Sequence, residues 1–166
     1  MNDIPMLVAA LEAESVADRR RAAESLAMLA EQSRSAAIPL LHAVNDHDEG
    51  VRNWATEALE NLGPPDPADT DSLLNLVETS AENDVRYLAL VLLGRLEAGG
   101  SVFFDELMAS RDSIQAPVVL VQYLKTLSRL ATENVQRQRL QEMCRRELKH
   151  ADPRVQAVSE RLLASL

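Results

Sequence analysis

One stretch of the chain gathers residue types that do chemistry: His42, followed by Asn45-Asp46-His47-Asp48-Glu49. On a helix His42 and Asp46 stand one turn apart, so an imidazole and a carboxylate can converge on an ion, and the acids behind them suit a hard cation. A metal centre built into a repeating chain needs a second cluster at a matching offset, and the sequence has none. The stretch therefore reads as a solvated acidic loop, with Asp48 capping the helix that follows. Cys144 is the single cysteine. It lies on the apolar stripe Leu140–Cys144–Leu148, and so reads as a small buried hydrophobe in spite of the adjoining Arg145 and Arg146. No Ser/His/Asp order, glycine-rich phosphate loop or Cys/His zinc spacing is present. The sequence predicts a protein that is not an enzyme, with no catalytic residue, metal or cofactor.

What the sequence does show is a period. Val51, Val85, Val119 and Val155 are spaced 34, 34 and 36 residues apart. Each opens an apolar helical stripe: Ala55–Leu59–Leu62, Ala89–Leu93–Leu96, Tyr123–Leu127–Leu130 and Ser159–Leu163–Leu166. Ile4-Pro5 and Ile38-Pro39 carry the same 34-residue step toward the N-terminus. A fixed period in this range marks a helical repeat array, in which a unit buries its apolar face only against its neighbours.

Helix periodicity runs throughout, and no segment alternates with the period of a strand. The pattern predicts ten helices in five hairpins, over about 4–13, 16–31, 35–45, 49–62, 70–80, 83–97, 101–111, 115–131, 134–150 and 153–165. Gly63 with Pro64-Pro65 behind it is a strong stop, and Asp152-Pro153 is a cap followed by a first-turn proline. The stretch Gly63–Asp69 resembles a linker, but the step from Val51 to Val85 runs across it in phase. It therefore reads as a long inter-repeat loop in a single domain, 1–166, of five units: about 1–34, 35–69, 70–100, 101–133 and 134–166. Aromatic residues make up only 3% of the chain, so the core must be leucine, alanine and valine with backbones drawn close. No segment reaches the roughly 18 apolar residues of a spanning helix. A lone cysteine agrees with a reducing compartment, and the expectation is a cytoplasmic protein that engages no membrane.

The net charge of −9 is unevenly placed. Residues 46–84 hold eleven acids against one base, whereas residues 134–166 hold seven bases against four acids. An acidic middle repels phosphate and draws basic partners, which argues against nucleic acid and for a protein partner with a basic surface. The basic C-terminal hairpin reads as a solvated capping helix with pairs such as Glu142–Arg146.

The segment IPLLHAVNDHDEGVRNWATEALENLG at Ile38–Gly63 resembles a HEAT repeat of the short, phycobilisome-lyase-like type. It has a proline early in the first helix, an aspartate in the turn, Val-Arg opening the second helix, and Ala-x-x-Ala-Leu-x-x-Leu-Gly. Ile4–Leu29 repeats the pattern with Arg19 at the arginine position, and Leu73–Leu96 repeats it with Asp84 and Arg86. Asp152–Leu166 keeps the aspartate but carries Gln156 for the arginine. The unit at Val102–Leu130 departs most, with Leu120 at the arginine position and Tyr123 where a small residue is usual. The resemblance implies an all-α, right-handed α-solenoid of about five hairpins, with second helices lining a concave face. It also implies that Asp48, Arg52, Asp84 and Arg86 form a hydrogen-bonded ladder between neighbours. Such arrays include iron hydroxylases with paired His-Glu steps and glycosylases with a basic concave face. Here His42, His47 and His150 lack the following Glu, and Arg20, Asn53, Glu57 and Glu60 turn acidic along the face.

The reading is a non-catalytic scaffold or adaptor; the alternative is a bilin-lyase-like enzyme or accessory subunit holding a tetrapyrrole or other apolar ligand. Where the second unit shows Asn53, Thr56 and Glu57, the third shows Tyr87, Leu90 and Val91, and the fourth Val121, Leu124 and Lys125. Helices this apolar are either covered by the molecule itself or await a partner, a second copy of the chain included. If the strip is open, Tyr87 is its anchor. Trp54, the sole tryptophan, reads equally as an anchor or as packing.

Overall fold

The computed structural model describes residues 3–166, and of residues 97 and 98 the backbone alone. The first two residues of the expected first unit lie outside it. Among the described residues the chain is all helical, with ten α-helices: α1 (Ile4–Ala10), α2 (Val16–Leu29), α3 (Ala37–Ala43), α4 (Glu49–Asn61), α5 (Thr70–Thr79), α6 (Asn83–Gly94), α7 (Phe104–Ala109), α8 (Pro117–Leu130), α9 (Asn134–Glu147) and α10 (Pro153–Ser165). Short 3-10 segments cover Ala30–Ala36, Pro67–Asp69, Glu97–Phe103 and Ser110–Ser113. None of the helices is long and apolar enough to cross a membrane.

The helix ends follow from local chemistry. The Asp48 side chain accepts from the Val51 amide at 3.0 Å, and the Asp152 side chain from the Arg154 amide at 2.8 Å, so both expected caps form. Pro39 sits in the first turn of α3, which starts at Ala37, so its missing amide hydrogen falls among donors that have no helical partner anyway. Beyond α4, Gly63 takes φ 74°, the left-handed turn that favours glycine. α2 stops two residues early, at Leu29, because Ala30 leaves the helical region at φ 48°.

The chain falls into two compact units, one ending at Leu73 and the other running Leu74–Leu166. In the first, α2 packs on α4, α3 on α4 and α1 on α2. Its core is built from small and aliphatic side chains: Ala22, Ala23 and Leu26 of α2, Val51, Ala55 and Leu59 of α4, and Leu40 and Leu41 of α3 are all buried. Alanines at the α2–α4 contact bring the backbones close, as the aromatic-poor composition requires.

In the second unit the second helices α6, α8 and α10 stand side by side, with α8 in the middle. Val85, Ala89 and Leu93 of α6 and Val119, Tyr123 and Leu127 of α8 are all buried. Tyr123, the residue out of pattern, is fully buried, and its hydroxyl donates to the carbonyls of Leu107 (3.0 Å) and Met108 (3.1 Å) at the end of α7. A tyrosine here fills space and adds a donor to the carbonyls that end a helix only six residues long. Burial holds its phenol well above the ordinary range.

Candidate functional site

The recurring charges turn out to hold turns and neighbours together. Arg19 grips Asp46 with both arms, Nε to Oδ2 at 2.6 Å and Nη2 to Oδ1 at 2.9 Å. Its third contact, from Nη1, reaches the carbonyl of Ala13, six residues back, at 3.0 Å. Arg52 makes the same backward reach to the Asp46 carbonyl at 2.8 Å, and Arg86 to the carbonyl of Ser80. Arg86 also donates to the Ser113 carbonyl of the following hairpin. Where arginine is replaced, the bond persists: Gln156 Nε2 reaches the His150 carbonyl at 2.6 Å. In the fourth repeat Leu120 has no donor, and Arg111 supplies the Ile114 carbonyl instead, at 3.0 Å. The arginine position is thus a clamp on the turn of its own hairpin, and only some copies also bridge to the next.

The expected ladder acids divide. Asp48 caps α4 and accepts from Arg20 Nη2 at 2.9 Å, which links it to α2. Asp84 is exposed in the first turn of α6 and holds no hydrogen bond or ion pair among the described residues, so it stands outside the ladder. Asp46, two residues before Asp48, is a second bridging acid, tied to α2 through Arg19. Guanidinium hydrogen bonding from Arg19 holds the Asp46 carboxyl below its usual range, and that from Arg20 does the same for Asp48.

These contacts tie down the acids of the loop between α3 and α4. Both Asp46 oxygens are engaged by Arg19, and the exposed His42 lines with Asp46, Glu12 and Pro39 a recess of about 150 Å³. No group of three His, Cys, Asp or Glu side chains among the described residues is placed to hold a metal ion. Cys144 is fully buried, and burial pushes its thiol up to about 11, which leaves it protonated and unreactive at neutral pH. A larger cleft, about 290 Å³, opens between α7 and α9. Two of its arginines are already committed: Arg111 to Glu147 at 2.8 Å, and Arg139 to Asp105, with its guanidinium 5.8 Å from the Phe104 ring centre. Arg146 on its rim carries no ion pair, so the expected Glu142–Arg146 pairing does not form among the described residues.

The second-helix surface is where the apolar strip was expected, and the structure divides it. Leu90 and Leu124 are fully buried and offer a partner no surface. The cause is the close approach of α8 to α6. Thr126 Oγ1 donates to the Leu90 carbonyl at 2.8 Å, and a Cβ on Gly94, one turn beyond Leu90, would stand 3.3 Å from the same hydroxyl. Leu90 lies on the flank of α6 that this approach covers. Tyr87 lies off that flank and is 36% exposed; Val118, one turn before Val121, is 47% exposed. Val91 and Val121 are half-buried and Lys125 is exposed. In the first unit Asn53 and Glu57 are exposed on α4 and Trp54 is half-buried. Val118, open at the head of α8, was missed by the sequence reading, although its register equivalence to Asp84 marks an outward position.

The HEAT-repeat family matches residues 4–94, more than half of the chain. No curated protein matches the sequence. Among solved structures, an engineered protein from the Northeast Structural Genomics Consortium is similar over 99% of this chain and 79% of its own, with TM-score 0.59 and 19% identity. A designed armadillo repeat protein in complex with the peptide (KR)4 is similar over 96% of this chain and 80% of its own, with TM-score 0.58 and 17% identity. At these identities the likeness is one of fold, that of α-solenoid repeat proteins. With the 34-residue period, the recurring turn clamp and the family match in agreement, the chain belongs to the HEAT-repeat family.

Proposed function

We propose that the chain is a non-catalytic scaffold or adaptor that holds a protein partner on the outward faces of its second helices. The observation that carries this is the pair Tyr87 and Val118, open on helices whose other large apolar side chains are almost all sealed in the core. Open apolar side chains on otherwise well-packed helices are the usual seat of interface anchors. Asn53 and Glu57 extend the reading to α4, where the excess of acids over residues 46–84 favours a basic partner surface. The designed armadillo protein of similar fold is seen with a basic peptide, which supports that choice. The likeness of Ile38–Gly63 to phycobilisome-lyase-type units belongs to this reading as a statement of lineage, and the single buried cysteine supports a cytoplasmic setting.

Photo-crosslinking tests it. A benzophenone side chain installed at Tyr87 should capture one partner in stoichiometric yield, while the same group at Val102, 77% exposed on the 3-10 segment before α7, should not. Equal capture from the two positions would sink the proposal.

A further inference from the structure

The second unit carries a charge pattern opposite to that of α4. With the spacing of the repeats, α6, α8 and α10 present equivalent outward positions in rows: Tyr87, Val121 and Ala157, then one turn on Val91, Lys125 and Arg161. The first row is apolar, and the second turns from apolar to cationic toward α10. Arg129 extends the cationic side one further turn along α8, and α8 itself, PVVLVQYLKTLSRL, contains no acid.

Most arginines of the chain are already committed. Arg19, Arg20, Arg111, Arg139 and Arg154 each hold an ion pair. The side chains of Lys125, Arg129 and Arg161 are exposed and hold neither an ion pair nor a hydrogen bond among the described residues. Acids and bases balance over the second unit as a whole, so the cationic character is confined to this face, where α8 carries two bases and no acid.

We infer that this face of the second unit takes an acidic segment of a partner chain, with apolar residues on Tyr87 and Val118 and carboxylates on Lys125, Arg129 and Arg161. The inference rests on the scaffold reading above and concerns the second unit alone; the basic partner surface proposed above is matched to the acids of α4 and not to this face. Guanidinium and ammonium groups without internal partners are matched by carboxylates, and arginine takes them bidentately. A short acidic segment feels the local field only, within about one Debye length of 8–10 Å. A long polyanion such as nucleic acid or an anionic membrane meets the whole chain, whose net charge is −9.

The test uses the full chain and two fluorescent peptides of about 14 residues, with leucines at helical spacing and either glutamate or lysine elsewhere. Fluorescence anisotropy should show the glutamate peptide binding at least about tenfold more tightly at low salt, with the advantage shrinking as salt rises. The double variant Lys125→Glu/Arg161→Glu should weaken the glutamate peptide by about tenfold or more and reverse the preference, with an unchanged thermal midpoint because both positions are exposed. Equal binding of the two peptides, a preference for lysine, or indifference to the double variant overturns the inference. So does displacement of the glutamate peptide by a single-stranded oligonucleotide or by anionic vesicles, which would assign the cations to a polyanion. If both peptides bind equally and Tyr87→Ser weakens both, the acidic preference falls while the scaffold reading stands. Binding of neither peptide overturns the inference and leaves the scaffold reading to the crosslinking result.

Discussion

Gln156 donates from Nε2 to the carbonyl of His150, six residues earlier, at 2.6 Å, and so replaces the arginine that makes this bond in the first three repeats. What the position selects is a donor long enough to reach the turn behind it. A positive charge is secondary. Gln156→Arg should therefore be neutral or mildly stabilising, and Gln156→Leu should lower stability by about 1 kcal/mol in urea unfolding. Equal stability of the leucine variant would show the clamp to be incidental.

Arg111 combines two duties, closing the Ile114 carbonyl and pairing with the buried Glu147. Arg111→Leu leaves a carboxylate and a carbonyl unpartnered together, and the expected loss is about 2–4 kcal/mol, larger than for Gln156→Leu. The double variant Arg111→Leu/Glu147→Leu should recover part of it, since the uncompensated charge is gone. Chemical denaturation of the three proteins reads both numbers.

How much of this was legible beforehand depended on whether the signal was local. The period, the caps at Asp48 and Asp152 and the stop at Gly63 are local, and each is found where the sequence places it. The bridging role of Asp46 is not local: it depends on a guanidinium 27 residues away, as the second duty of Asp48 depends on one 28 residues away. In sequence, Asp46 and Asp48 are equivalent. The same holds for Leu90 and Leu124. An apolar stripe does not say how closely the next helix approaches, and here Gly94 and Thr126 set that distance. Tyr123 was visible as an exception, while its reason, the buried space and the carbonyls at the end of a short α7, exists only in the fold.

Asp69 gives a pH dependence. Its Oδ2 is buried without a partner, and desolvation, with the charge of Asp66 behind it, raises its carboxyl above the ordinary value. A carboxyl raised on folding favours the folded state while protonated, and that contribution is lost as pH rises through the raised value. Asp69→Asn should accordingly raise the thermal midpoint at pH 7, and the gain should vanish below about pH 4, where the unfolded carboxyl is also protonated. Melting curves across this range check the sign. A destabilised variant at pH 7 would mean that Asp69 has a cationic partner.

The most direct test of the central claim, that open side chains on the second helices bind a partner while their buried neighbours hold the array together, compares Tyr87→Ser with Leu90→Ser. Both stand on α6, three residues apart, one 36% exposed and the other fully buried. Calorimetric titration with the crosslinked partner, paired with thermal melts, should show Tyr87→Ser losing affinity by about tenfold or more with little change in melting. Leu90→Ser should lose several kcal/mol of stability, in the range of about 2–5 for emptied leucine sites, and keep its affinity wherever it stays folded. A Tyr87→Ser protein that binds as the parent does would contradict the account.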